Sequence, residues 1–238
     1  MKVGIIGCGN MGSAIAKAIA TDKQINIYIS SHNSGKRAAF AEEIGAKFLS
    51  NEGIVKTCDF IFLGVKPGAT APLLGELEAM AGKGRAIVRI MPNTPAAVRH
   101  GMIQWCANAA ATEENIRDLL ALLAPAGRLD EIDERLMNAA AAVSGCGPAF
   151  AYLFAEALAD GGVQCGLSRE KAMLYAAEML SGAAEMLLRS GKHPGQLKDE
   201  VCSPGGTTIV GVHALEEGGF RAAAQNAVIS AFRKSQGE

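Results

Sequence analysis

The chain has no CxxC pair, no HxxxH pair and no carboxylates at metal-ligand spacing, although it carries six cysteines and four histidines. Its thiols, Cys8, Cys58, Cys106, Cys146, Cys165 and Cys202, are scattered. That excludes a zinc knuckle or a dithiol redox centre and fits a reducing cytosol. It also lacks an excess of either charge, with 23 Lys and Arg facing 24 Asp and Glu. Without a basic excess, neither nucleic acid nor an anionic membrane is an expected partner. No apolar run is long enough to span a bilayer uninterrupted. The nearest, residues 139–155, is broken by Ser144-Gly145-Cys146-Gly147-Pro148 and is expected to be a buried helix that starts after a turn. The first strand-like run begins at Lys2 and leaves no room for a leader. The expectation is a soluble, cytoplasmic protein with no metal.

What is abundant is glycine, 28 of 238 residues, or about 12% against an average near 7%, gathered at turns and not repeated. Residues 2–6, 25–30, 59–65 and 85–90 read as buried strands: short, β-branched, with Gly, Pro or polar ends. Helical spacing lies between them at 13–20, 36–44 and 72–80. Such alternation predicts a parallel sheet covered on both faces. Residues 102–106 and 128–132 could add strands, with a helix over 113–123 between them. After Glu134 helical stretches take over, at 135–143, 149–161, 169–188, 195–201, 207–216 and 220–234. The expected division is an α/β domain over 1–152 and an all-helical domain over 153–238.

The opening KVGIIGCGNMGSAIAKAIA places Gly7, Gly9 and Gly12 directly after a strand and at the start of a helix. Gly7 permits a tight turn, Gly9 lets backbone approach a pyrophosphate, and Gly12 lets helix pack on strand. The turn Gly7-Cys8-Gly9-Asn10-Met11-Gly12 would then hold the phosphates at a helix N-terminus. At the end of the second strand an NAD-binding chain usually carries Asp or Glu for the ribose 2′-hydroxyl. This chain has Ser30-Ser31-His32-Asn33-Ser34, then Lys36 and Arg37, and no carboxylate before Glu42. Ser31, Asn33 and Arg37 suit a 2′-phosphate, which predicts NADPH with NADH accepted less well. A solvated loop would look much the same. Two further strand ends, Val65-Lys66-Pro67 and the Met91–Pro95 loop around Asn93, would line the crevice where nicotinamide and substrate meet.

Late in the chain, SPGGTT sets two glycines and two threonines ahead of an apolar helical run. Alone, it could be a helix connection with a Ser or Thr cap. With GCGNMG, FLGVKP, MPNTP, VSGCGPAFAYLFAEALADGGVQCGL and HPGQLKDEVCSPGGTTIVGVHALEEGGFR, however, the chain resembles the pyrroline-5-carboxylate reductase family from end to end. The resemblance implies an α/β Rossmann-like parallel-sheet domain followed by an all-α dimerisation domain. It implies NADPH-dependent reduction of a small cyclic imine to L-proline by a homodimer, often within a larger ring of dimers. Asn51 in FLSNEG matches a cofactor-contacting position of the family. Ser203 and the backbone of Gly206 and Thr207 would hold the substrate carboxylate, and Thr208 would touch the ring nitrogen.

The chemistry agrees with that assignment. The substrate has one carboxylate, for which a helix N-terminus with free N–H groups is a receptor. Gly205 and Gly206 remove side chains so that backbone can approach. A threonine hydroxyl is too weak an acid to protonate an imine unaided, so Thr208 is expected to orient an iminium that is already protonated. Two other readings stay open. One is a reductase of hydroxyacids or other imines, with Lys171 or Lys198 as acid or base. The other is a non-catalytic NADPH sensor, which would have no use for Ser203–Thr208. Glu156 and Asp160 are expected at cations or in solvent, and Met173, Met179 and Met186 in a core or dimer face. Five or so small-residue helices in under ninety residues leave apolar faces over, which predicts a homodimer.

Overall fold

The computed structural model describes residues 1–30, 34–65, 67–81 and 86–238, with backbone alone for 10, 11, 34–37, 67–71 and 81. The chain divides into two compact units, Met1–Gly145 and Cys146–Glu238.

The first unit alternates strand and helix in the order β1 (Lys2–Ile6), α1 (Asn10–Ile19), β2 (Asn26–Ser30), α2 (Ser34–Ile44), β3 (Lys47–Phe48), α3 (Asn51–Thr57), β4 (Phe60–Leu63) and α4 (Pro67–Ala81). The strands form a parallel sheet in the order β3-β2-β1-β4, with Ile5 beside Ile29 and Phe62. The short β3 and α3 carry too few apolar residues to show a period, and sequence patterning missed both. Val3, Ile5, Ile27 and Ile29 of the sheet and Ile15 and Ile19 of α1 belong to one buried cluster. A second cluster, around Ile6, Ile54 and Leu77, involves β1, α3 and α4.

The strand expected at 85–90 does not join that parallel sheet. A second sheet joins β5 (Val88–Met91), β6 (Gly101–Ala107) and β7 (Gly127–Glu131), and β5 runs antiparallel to β6. Between Met91 and Gly101 lies a 3-10 turn, Thr94–Val98. That link is shorter than the dozen or so residues a parallel crossover needs. The link from β6 to β7 contains α5 (Glu113–Leu123), and that pair is parallel. A capping box between Thr112 and Asn115 starts α5.

The interruption expected within residues 139–155 shrinks to a single turn residue, Cys146, itself in right-handed helical conformation. Helical backbone runs from Glu134 to Gln164, through α6 (Met137–Ala140), a π-helical stretch (Ala141–Gly145) and α7 (Gly147–Gln164). One extra residue in the π turn absorbs Gly145-Cys146-Gly147-Pro148 without ending the helix. Nor is the helix buried, since only 6% of its apolar stretch is covered. Among the described residues it is the one helix whose length and composition would suit a membrane span.

The second unit continues with α8 (Arg169–Ser190), α9 (Pro194–Glu200), α10 (Thr207–Glu217) and α11 (Phe220–Gln236). Small residues let α7 and α8 approach. Ala159, Ala172 and Ala176 are buried, and a Cβ on Gly162 would come within 3.1 Å of the Ala172 methyl. Large apolar side chains face outward instead, with Leu153 and Leu188 each 68% exposed.

Candidate functional site

At the carboxyl end of the first sheet the chain turns back on itself through glycine. Gly7 has φ +91°, a conformation open to glycine, and its N–H donates to the Ser30 carbonyl at 2.9 Å. A Cβ on Gly12 would lie 2.3 Å from the Gly7 carbonyl oxygen, and a Cβ on Gly64 would lie 2.1 Å from the same atom. Gly7, Gly12 and Gly64 therefore form one close-packed knot. Sequence reasoning singles out the first two but passes over Gly64, whose only local signal is a glycine following a strand. Gly9 differs. Its nearest non-local neighbour would stand 3.6 Å from an added Cβ. The fold itself tolerates a side chain there, and the open side is where a pyrophosphate could approach.

Gly9 is also the N-cap of α1 and supplies no side-chain cap. The first-turn N–H groups of α1 are left for an anion. Other helices satisfy that end internally: Ser50 caps α3, Thr112 caps α5, Ser168 caps α8 and His193 caps α9. Cys8 is buried in the main core cluster, so its backbone is the part that could meet a cofactor. The side chains of Asn10 and Met11 lie outside the described residues.

At the next strand end, the Ser30 hydroxyl donates to Asn51 Oδ1 at 2.6 Å. No sequence signal links the two, although the family match singles out Asn51. Ser31, Asn33 and Lys66, and the side chains of Arg37 and Pro67, fall outside the described residues. Val65 sits half-buried beside Gly7. Asn93 lies two residues beyond β5, before the 3-10 turn, and is 7% exposed, with its amide bonded to backbone on both sides.

In the second unit, Gly205 (φ +66°) and Gly206 lead into α10, and Gly206 is its N-cap without a side-chain bond. A Cβ on Gly206 would meet Ser203 Oγ at 2.3 Å, so the Ser203 hydroxyl lies against the glycine backbone. Thr207 and Thr208 are the first two residues of α10. Ser203, Thr207 and Thr208 are exposed, and among the described residues their hydroxyls have no partner. The arrangement presents free N–H groups, hydroxyls and open backbone on one turn, a receptor for a carboxylate. α11 also follows a glycine, but Gly219 is left-handed (φ +71°), whereas Gly206 has extended backbone (φ −78°, ψ 169°).

Other candidates fall away. The Lys198 pKa is raised by its hydrogen bond to Asp199, the wrong direction for a base at neutral pH. Asp160 pairs with Arg169, and His213 with Glu217 at 3.4 Å. A cavity of about 580 Å³ opens beside β5 and β6, lined by Arg89, Cys106 and Glu134 among others. None of the motif residues lines it. Burial first, then a hydrogen bond to Glu134, pushes the Cys106 thiol up to about 11, which removes it as a nucleophile.

Comparison with known proteins bears on both units. A family model described as pyrroline-5-carboxylate reductase dimerisation matches residues 134–238, and one described as NADP oxidoreductase coenzyme F420-dependent matches 2–93. The chain is 39% identical to the pyrroline-5-carboxylate reductase of Pisum sativum, over 98% of this chain and 94% of that one. It is 37% identical to that of Escherichia coli K12, over 99% and 97%. The crystal structure of Plasmodium falciparum pyrroline carboxylate reductase with NADP bound aligns with a TM-score of 0.85 at 34% identity, covering 100% of this chain and 97% of that one. The structure from Streptococcus pyogenes aligns with a TM-score of 0.89 at 29% identity, covering 100% and 99%.

Proposed function

The chain belongs to the pyrroline-5-carboxylate reductase family, and we propose how its residues reduce the C=N bond of L-1-pyrroline-5-carboxylate to L-proline. It is an NADPH-dependent oxidoreductase of proline biosynthesis. NADPH supplies the hydride when bound. Gly7, Gly9 and the uncapped start of α1 would receive its pyrophosphate. Ser31, Asn33, Arg37 and Asn51 would select the 2′-phosphate, with NADH accepted less well. Val65, Lys66, Pro67 and the backbone around Asn93 would frame the nicotinamide.

The observation that carries the substrate side is the start of α10. Of the helices with a defined cap, α1 and α10 start from a glycine in extended conformation with no side-chain cap, whereas the glycine before α11, Gly219, is left-handed. The first suits a dinucleotide phosphate and the second a small carboxylate. Ser203, Gly205, Gly206 and Thr207 would hold the carboxylate of the cyclic imine. The Thr208 hydroxyl would orient the ring nitrogen of the iminium, so the ring face meets the hydride in one geometry. The domain division expected after residue 152 falls inside α7; we place it near the start of that helix.

The outward apolar faces of the second unit support a homodimer, within which the exposed surfaces of α7 and α8 would be covered. Assembly of dimers into a ring, and residence in the cytoplasm away from membranes and nucleic acid, complete the proposal. The test is NADPH oxidation with racemic pyrroline-5-carboxylate, alongside NADH and a substrate-free control. Rapid turnover to L-proline is expected. Tight NADPH binding without turnover would keep the cofactor site and discard the role given to Ser203–Thr208.

A further inference from the structure

Pro148 is the second residue of α7 and has no N–H to return to the carbonyl of Ser144, four residues earlier. That carbonyl is nonetheless satisfied: Asn93 Nδ2 donates to it at 3.0 Å. Asn93 Oδ1 accepts the Met102 N–H, also at 3.0 Å. An acceptor on one side and a donor on the other allow one orientation of the amide. Asn93 is the N-cap of the 3-10 turn Thr94–Val98, a position where asparagine commonly caps with its own side chain, and here it makes no such bond. Its side chain bonds instead across 51 residues of sequence. Ser144 Oγ lies 3.1 Å from the Gln104 amide oxygen and 2.9 Å from the Ala140 carbonyl. The π stretch is thus bonded to both β6 and the loop after β5.

We propose that Asn93 is a positioning residue: it replaces the hydrogen bond that Pro148 cannot make and holds the π stretch Ala141–Gly145 in one geometry against β6. The side chain therefore acts on the reaction by keeping the helical backbone of Glu134–Gln164 in shape at its π stretch, and not as a ligand of either substrate. The catalytic consequence rests on the proposed imine reduction; the structural one does not.

The experiment compares Asn93→Asp, Pro148→Ala and the double variant. The carboxylate introduced by Asn93→Asp can accept from Met102 but cannot donate to Ser144, whereas Pro148→Ala supplies the missing N–H. In Asn93→Asp, amide exchange in residues 141–147 is expected to rise about 10-fold or more, with β1 unchanged. Turnover falls about 10-fold or more while the NADPH dissociation constant moves less than about 3-fold. Adding Pro148→Ala restores most of the protection and most of the turnover. If Asn93→Asp does not fold alone, folding of the double variant supports the same bond.

Unchanged exchange in 141–147, equal loss of protection in β1, or no rescue by Pro148→Ala would each overturn the proposal. A fall in NADPH affinity matching the fall in turnover would overturn it in favour of a direct cofactor ligand. Exchange needs no substrate, so this arm decides the inference even if the imine is not turned over.

Discussion

The Ser30 hydroxyl, at the end of β2, donates to Oδ1 of Asn51, the first residue of α3, across 2.6 Å. The bond engages the Asn51 amide oxygen and orients the side chain so that its NH2 group is left to donate. Where an NAD-binding protein offers a carboxylate to the ribose, this chain offers donors. Asn51→Asp is therefore expected to lower the ratio of kcat/KM for NADPH over NADH by roughly 10-fold or more. Arg37→Glu should raise the KM for NADPH far more than that for NADH. Equal effects on both cofactors would reject the assignment.

The glycine turn separates two roles that share one motif. Gly12→Ala drives a Cβ into the Gly7 carbonyl, and Gly64→Ala does the same from the other side. Both are expected to unfold the first unit or lower its melting temperature by many degrees. Gly9→Ala meets only ordinary contact. It should fold with a near-normal melting point yet lose NADPH affinity by about 10-fold or more, read by fluorescence titration. Normal affinity in Gly9→Ala would remove the pyrophosphate from this turn.

At the late loop, Thr208→Ala should lower kcat/KM by ~10²-fold or less, the low end of acid–base contributions, because orientation is its role. A loss of ~10⁴-fold would require proton transfer by the hydroxyl. Gly206→Ala displaces the Ser203 hydroxyl. Its expected signature is a raised KM for the imine, with the KM for NADPH unchanged.

Leu153, Leu174 and Leu188 stand exposed on α7 and α8. Sedimentation at micromolar concentration is expected to give a dimer or a multiple of dimers, and Leu153→Lys or Leu174→Lys should weaken it. A wild-type monomer would overturn the assembly and leave these faces unexplained.

Cys106 should be the slowest thiol to alkylate of the group Cys106, Cys146 and Cys165, since the latter two are exposed. Its pKa is raised from 9.0 to about 11, so little thiolate forms at pH 8.5. The sign for stability follows. A thiol favoured as neutral in the fold stabilises it fully below its unfolded value near 9, and that contribution is lost as pH rises through about 11. Mass-spectrometric labelling at pH 8.5 checks the order, and early labelling of Cys106 would contradict its place beside Glu134.

The sequence by itself determined what short-range geometry dictates. The alternation of β-branched runs with helical periods marked β1, β2 and β4, and the spacing of Gly7, Gly9 and Gly12 marked the turn, because each depends on residues within a few positions. The Gly205–Gly206 entry to α10 was legible for the same reason. The tertiary structure alone decided the rest. Gly64 closes on Gly7 and Gly12 from another strand, Ser30 reaches Asn51 on another helix, and β5 reverses against β6. Asn93 supplies Ser144 with a hydrogen bond that Pro148 withholds. Residues 139–155 read as a broken, buried helix because glycine and proline are local breakers, whereas the π turn and a distant amide let the helix continue. Each of these contacts joins residues far apart in sequence, and no window along the chain contains both partners.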